Sequence, residues 1–542
     1  MSTLPIEVLR GETNGLRLGD PAPRILPGER ILSIVYPGIS YPKEHPPATV
    51  VLMQLTGVKK PEDIGNNGPS IAATASAENE HIEILNNLKA LYGRDSLIVG
   101  NYVSGIFPKL QQATVIRLAE LQGIDYNSLA EEEPGRIIHE DRPPDSPIAV
   151  QATEKSGWQW PYYGSIDATP LFISATIDCT KNEILFLKRR FEGRDGKTHT
   201  LEESLENSVG WLMRKLDSNQ ESLLEFKPSF DGSIENQAWK DSWDSYFHKD
   251  GTIANHRQGI ASVEVQAFAY DALLDVVEFY NSRLEAITDP SEKSVLQQKI
   301  EGLQLRADKL KRTVMDKFWV EDERGGYFAL GTDRDEDGKL RPLEIRTSNM
   351  GYLLDSRMLD SNDPEIVRRR EEVIKTLFSE EMLAEAGIRT LSNREVRFRS
   401  GAYHNGSVWP HDTYRISRGL AKCGYYGLAY DLVQRIKGVV EKTNMYVEFA
   451  RGGESGDEPI NRRIVDVWDE KLSRENRIEE PPKEPQAWDV AANVAIDYFY
   501  NSSSPKKALP TQATDPAKQL FEEAILSQIH RSYPHPERLL AG

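Results

Sequence analysis

A chain of 542 residues with 39% hydrophobic and 28% charged side chains has the composition of a globular protein with a large core. Collagen-like, low-complexity and wholly disordered classes are excluded. A formal charge of -18 repels phosphate backbones and anionic headgroups. Nucleic acid and membrane surfaces are therefore not expected partners, and a neutral substrate is.

The first 78 residues are rich in proline and glycine, with Pro21, Pro23, Pro27, Pro37, Pro42, Pro46 and Pro47. Two short β-leaning runs, Ile31 to Tyr36 and Thr49 to Leu55, predict a loop-rich segment with a few strands. The N-terminus has no basic stretch followed by a long apolar run, so no signal peptide is expected. No stretch approaches the roughly 18 consecutive apolar residues of a membrane helix. The two cysteines, Cys179 and Cys423, lie in apolar, helical stretches without metal-ligand spacing. They read as buried thiols and fit a reducing, cytoplasmic location.

From residue 79 the pattern turns helical, first over Asn79 to Leu91, with Ile82, Ile84, Leu85, Leu88 and Leu91 on one side. Further helices are predicted at 95–104, 110–123, 168–187, 199–216, 258–282, 291–317, 346–357, 363–378, 406–422, 425–442, 486–501 and 515–530. No convincing strand run is expected between 110 and 500. Short connections alternate with long polar ones. Short links make antiparallel helix hairpins, and regularly spaced long links place an elaborated face at one end. The predicted fold class is all-α, a six-hairpin (α/α) toroid barrel over 79–542 preceded by the 1–78 segment. An open helical solenoid is the structural rival, but no motif of fixed period supports it.

Aromatic and acidic residues concentrate in the long connections. Arg94 and Asp95 open a helix; Asp95 is either a helix cap or, with Arg94, a sugar-hydroxyl pair. Trp160, Tyr163 and Asp167 belong to a loop with four aromatics in six positions, a platform for a sugar ring or a packed rim. Asp167 is a candidate N-cap or sugar ligand. Asp241 and Asp244 lie three residues apart, interleaved with Trp239 and Trp243. Burial against an indole raises a carboxyl's proton affinity, which a glycosidase acid needs. Trp409 and His411 follow in Tyr403-His404-Asn405-Gly406-Ser407-Val408-Trp409-Pro410-His411-Asp412. His404 and His411 are too far apart for an i,i+4 metal pair, so no metal is expected. Glu448 sits in an apolar run near Arg451, either as a buried ion pair or as a functional acid. Trp488 follows a charged stretch, Glu454 to Pro485, that reads as a solvated loop. Paired carboxyls among aromatics are what glycoside hydrolysis requires. Nucleotide, zinc-protease and serine-hydrolase motifs are absent.

The order of these motifs resembles the glycogen-debranching, amylo-α-1,6-glucosidase-type proteins of the six-hairpin glycosidase group. The landmarks are YGRDS (92–96), WPYYGSIDATPLF (160–172), NQAWKDSWDS (236–245), YHNGSVWPHD (403–412), YVEFARG (446–452) and PQAW (485–488). The resemblance implies an (α/α) barrel and cofactor-free inverting hydrolysis of a terminal α-glucosidic bond. It implies a general acid at Asp241 by the debranching pattern, or at Asp244 by the trehalase-like one. It implies Glu448 as general base, with Arg94 and Asp95 holding the sugar. YVEFARG departs from the family's LPELFCG-like stretch, and fewer residues precede the barrel than in members with a β-sandwich domain. Hydrolysis of a small α-glycoside, a disaccharide or glucosylglycerate-like solute, is the nearest alternative. A non-catalytic carbohydrate-binding protein is the rival from another class.

Overall fold

The computed structural model describes residues 90–183, 185–443, 446–452, 486–500 and 513–532. It also describes Ala48 and the strands Glu7–Leu9, Ser33–Val35, Arg463–Asp469 and Arg474–Glu480. The expected helix over Asn79 to Leu91 and the β-leaning run Thr49 to Leu55 lie, but for residues 90 and 91, outside the described residues. Leu91 itself is extended. The run Ile31 to Tyr36 does contain a strand, Ser33–Val35, antiparallel to Glu7–Leu9.

In chain order the helices are α1 (Gly93–Val103), α2 (Pro108–Glu120), α3 (Pro147–Ser156), α4 (Ala168–Asn182), α5 (Leu201–Leu216), α6 (Val263–Leu284) and α7 (Pro290–Lys317). They continue as α8 (Tyr352–Asp355), α9 (Pro364–Leu377), α10 (Pro410–Lys422), α11 (Tyr426–Thr443), α12 (Ala487–Tyr500) and α13 (Pro516–Ser532). The fold class read from the sequence, all-α with (α/α) hairpins, is the one the described residues have.

Local chemistry sets several helix ends. Thr200 accepts from the Glu203 amide while the Glu203 carboxylate accepts from the Thr200 amide, a capping box that starts α5. Asp289 caps α7 ahead of Pro290. The buried positions Leu201, Leu205, Val209, Leu212 and Leu216 recur every three or four residues along α5. Each fully buried leucine contributes about 1.5–3 kcal/mol.

The chain forms two compact units. One comprises 92–101 and 111–376. Within it α4 packs on α5 and α6, and α6 forms a hairpin with α7. The other comprises 1–91, 102–110 and 377–542, with α10 and α11 paired and α12 packed against both.

The expectation of no strands between 110 and 500 is corrected. Antiparallel ladders join Trp319–Asp322 to Gly325–Phe328, Gly331–Arg334 to Leu340–Leu343, and Arg463–Asp469 to Arg474–Glu480. Gly331 and Thr332 also pair with Ser262 and Ala261 at the start of α6. The first two ladders have strands of four residues, too short for a periodic signal. The third runs through the stretch read as a solvated loop. Its register sets Arg463 opposite Glu480, Asp466 opposite Arg477 and Asp469 opposite Arg474. Charge density, which suggested a loop, is compatible with a two-stranded ribbon. Helix α3 was also missed inside a long polar link, although Ser146 caps it and Pro147 occupies its first turn. Cys179 and Cys423 are buried thiols, as expected.

Candidate active site

In the unit built on α4 to α9, Arg94 is the centre of a carboxylate cluster. Helix α1 begins at Gly93, whose amide donates to the His139 carbonyl at 2.9 Å. A Cβ at Gly93 would stand 2.0 Å from the Ile138 carbonyl oxygen, so only glycine permits this approach. Next to it Arg94 is buried, and its guanidinium addresses three acids. Nε donates to Asp95 at 3.2 Å, Nη2 donates to Asp241 at 3.1 Å, and Nη1 lies 3.5 Å from Asp167.

Asp167 stands at the N-cap position of α4 but makes no side-chain capping bond. Its carboxylate instead accepts from the Ser165 hydroxyl at 2.5 Å and faces Arg94. Burial alone would push the Arg94 guanidinium down; the charges of Asp167, Asp95 and Asp241 outweigh it and hold it above its ordinary value. Burial pushes Asp95 up to about 6, against the pull of Arg94. One guanidinium is thus shared among three carboxyls.

Asp241 is the solvent-facing member, with its side chain 30% exposed. Its loop is held from both sides. Asn236 donates to the Ser242 carbonyl at 2.6 Å and meets His256 at 2.7 Å. Arg136 donates to the Gln237 side chain at 2.7 Å, and the Ile166 amide donates to the Gln237 carbonyl at 2.8 Å. That last bond ties the Asp167 loop to the Asp241 loop. Trp239 is buried and stacks on Tyr352 at 6.3 Å, whereas Trp243 is 44% exposed and Asp244 half-buried.

The aromatic loop 158–167 divides between roles. Trp158 stacks on Tyr162 at 3.8 Å, and Trp160 donates to Thr153 at 3.2 Å. Tyr163 is buried; its hydroxyl donates to the Leu121 carbonyl at 2.7 Å and accepts from Arg194 at 2.6 Å. Tyr163 thus packs its loop, and its hydroxyl is already engaged.

The second unit holds a separate aromatic and acidic group. Trp409 precedes α10, and its indole donates to the Tyr403 carbonyl at 2.8 Å. His404 and Phe449 pack on Trp409 at 5.2 and 5.3 Å. His411 stacks on Trp488 at 4.0 Å, and the Tyr102 hydroxyl donates to the His411 carbonyl at 2.9 Å. A two-residue ladder, Ser407–Val408 against Ala450–Arg451, joins this loop to the one carrying Glu448.

Glu448 is 2% exposed. The Tyr403 hydroxyl donates to its Oε1 at 2.5 Å, and its Oε2 has no hydrogen-bond partner among the described residues. The alternative ion pair with Arg451 is not formed. Sequence reasoning quoted Tyr403 within its motif but gave it no role. Its partner is 45 residues away, and no local pattern announces that bond.

Among the described residues no three His, Cys, Asp or Glu side chains converge as a metal site needs. No described helix is long and apolar enough to cross a membrane.

Residues 185–448 match the family model of the mannosylglycerate hydrolase MGH1-like glycoside hydrolase domain. Those residues, just under half of the chain, are similar to a glycoside hydrolase domain. The match includes Trp239, Asp241, Trp243, Asp244, Trp409, His411 and Glu448; Arg94, Asp95, Trp160, Tyr163, Asp167 and Trp488 lie outside it. A comparison with curated proteins finds no match. Solved structures similar to the chain include a GH63 mannosylglycerate hydrolase from Thermus thermophilus in complex with Tris, at 13% identity, 83% of this chain, 99% of that one and a TM-score of 0.49. They also include an uncharacterized conserved protein from the same organism, at 12% identity, 83% of this chain, 99% of that one and a TM-score of 0.47.

Proposed function

We propose that the chain is an inverting hydrolase of a small α-glycoside, a disaccharide or a glucosylglycerate-like solute, rather than of branched glucan. The debranching resemblance rests on ordered motifs alone. The matched family description names a small glycoside of glycerate, which favours the smaller substrate.

The observation that carries the reading is Glu448. It is a buried carboxyl with one oxygen fixed by Tyr403 and the other left without a partner among the described residues. A general base needs such an oxygen to take a proton from water. Asp241, exposed at the edge of the Arg94 cluster, is the proton donor, with Asp244 of the same loop as the alternative. Asp241 protonates the glycosidic oxygen as the bond to the anomeric carbon breaks. In the inverting mechanism that the order of the motifs implies, water attacks that carbon from the opposite face and a second carboxylate takes its proton, the part the resemblance gives to Glu448. Asp241 ends as a carboxylate and Glu448 protonated; exchange with solvent resets both. Arg94, Asp95 and Asp167 are polar groups suited to orienting sugar hydroxyls, and in the other unit Trp409, His411 and Trp488 form an aromatic group suited to a sugar's apolar face.

The test is hydrolysis of a panel of α-linked glycosides, from disaccharides and glucosylglycerate to branched limit dextrin, with the released anomer followed by NMR. The expected result is a β-anomer released from a small α-glycoside. Release of the α-anomer would overturn the acid–base pairing, and a preference for limit dextrin would restore the debranching specificity.

A further inference from the structure

The unit that holds the Arg94 cluster contains a further buried carboxyl that the reading above does not use. Glu264 is on the first turn of α6 and is 0% exposed. The Ser262 hydroxyl donates to its Oε2, and the Tyr246 hydroxyl donates in turn to Ser262 at 2.7 Å. Tyr246 is buried and directly follows the acid loop 236–245. A directed chain of hydroxyls therefore runs from the end of the loop that carries Asp241 to the carboxyl of Glu264.

The remaining surroundings supply no cation. Glu264 makes no ion pair among the described residues, and its Oε1 has no hydrogen-bond partner there. Asn349, in the turn packed on α6, approaches the same carboxyl without a well-formed bond of its own. The charges that reach Glu264 and Tyr246 are those of Asp167 and Arg94. Further along α6, Asp271 and Asp275 are paired with Arg357, and Lys311 of α7 lies over Tyr270. Burying a carboxylate with one neutral donor and an unpartnered oxygen is costly, so the site favours the neutral form. Burial pushes Glu264 up to about 7, against the hydrogen bonds of Ser262 and Asn349.

We propose that Glu264 is a positioning residue, a buried carboxyl without a cation that anchors the end of the acid loop through Ser262 and Tyr246. The inference deepens the hydrolase reading and rests on it for its catalytic part.

Two measurements test this. The first is the thermal stability of Glu264→Gln, a neutral isostere, against pH, which needs no turnover. A carboxyl whose proton affinity is raised by folding destabilises the protein as pH rises from about 4.5 to about 7, where the folded form must keep a proton the unfolded form has released. The variant lacks that penalty. Its Tm advantage over wild type is expected to widen by about 2–5 °C between pH 5 and pH 8. A gap that is flat with pH overturns the proposal whether or not the enzyme is active.

The second is steady-state kinetics on the best glycoside of the panel. Tyr246→Phe, which breaks the chain without changing volume, is expected to lower kcat several-fold with KM within about two-fold. A carboxyl that only fills space would leave the kcat of this variant unchanged. An unchanged kcat, with the stability gap present, overturns the link to the acid loop. A wild type that hydrolyses no member of the panel sinks the hydrolase reading and the positioning role together, while a widening stability gap would still place the proton on Glu264.

Discussion

Tyr403 holds one oxygen of Glu448 at 2.5 Å and leaves the other buried and unpartnered among the described residues. A carboxylate free to rotate would present either oxygen; this one presents Oε2. Hydrogen bonds to charged groups contribute about 1.5–3 kcal/mol, a factor of roughly ten to a hundred. Tyr403→Phe is expected to lower kcat by about that factor while KM stays within about three-fold. Steady-state kinetics checks the split; an equal rise in KM would mean that Tyr403 binds the substrate instead.

Glu448→Gln keeps the shape of the side chain and its acceptor for the Tyr403 hydroxyl but cannot take a proton. Loss of a general base lowers rates by about 10²–10⁴-fold. Turnover is expected to fall into that range while the melting temperature stays within a few degrees of wild type. A variant that retains near-normal hydrolysis removes the assignment.

Removing Arg94 takes away the cation that Asp95, Asp167 and Asp241 share. Breaking a buried pair by deleting one partner costs about 3–5 kcal/mol. Arg94→Met is expected to be destabilised by that order at neutral pH and to recover stability as the pH falls and the carboxyls protonate. Urea unfolding at pH 5 and pH 8 measures the recovery. Equal losses at both pH values would show that Arg94 does not neutralise the cluster.

Asp95 carries its own pH signature. Burial raises it from an ordinary 3.8 to about 6. Between those values the folded protein holds a proton that the unfolded chain has lost, so this group lowers stability as pH rises and its effect saturates above about 6. Asp95→Asn is expected to flatten that part of the stability curve. Unfolding free energies at half-unit steps from pH 4 to pH 7 would show it, and an unchanged slope would assign the proton to another member of the cluster.

The helices were legible because α5, α6, α7, α10 and α11 bury apolar positions at helical spacing. The ladders were not, because two- to four-residue strands carry no period, and the Arg463–Asp469 ribbon alternates charges that read as solvent-exposed loop. Helix α3 did carry a signal, Ser146 followed by Pro147, but its polar composition masked it. The carboxyls of the candidate site stood out by their aromatic neighbours. Their partners did not: Arg94 meets Asp241 across 147 positions, and Tyr403 meets Glu448 across 45. Such pairs are set by tertiary packing, which local patterns do not encode. Asp167 shows the limit from the other side. Its position suits an N-cap, yet Arg94 and Ser165 take its carboxylate.

The glycine at 452 has a bearing on motion. A Cβ there would lie 2.0 Å from the Gly406 carbonyl oxygen, and the adjoining ladder pairs Val408 with Ala450. The two segments meet backbone to backbone, with no side chain between them to act as a compliant spacer. They are therefore expected to open to solvent together. Amide protons of the paired residues would exchange with deuterium at a common rate, and a bulky residue at 452 would loosen the base and the Trp409 aromatic group in the same step.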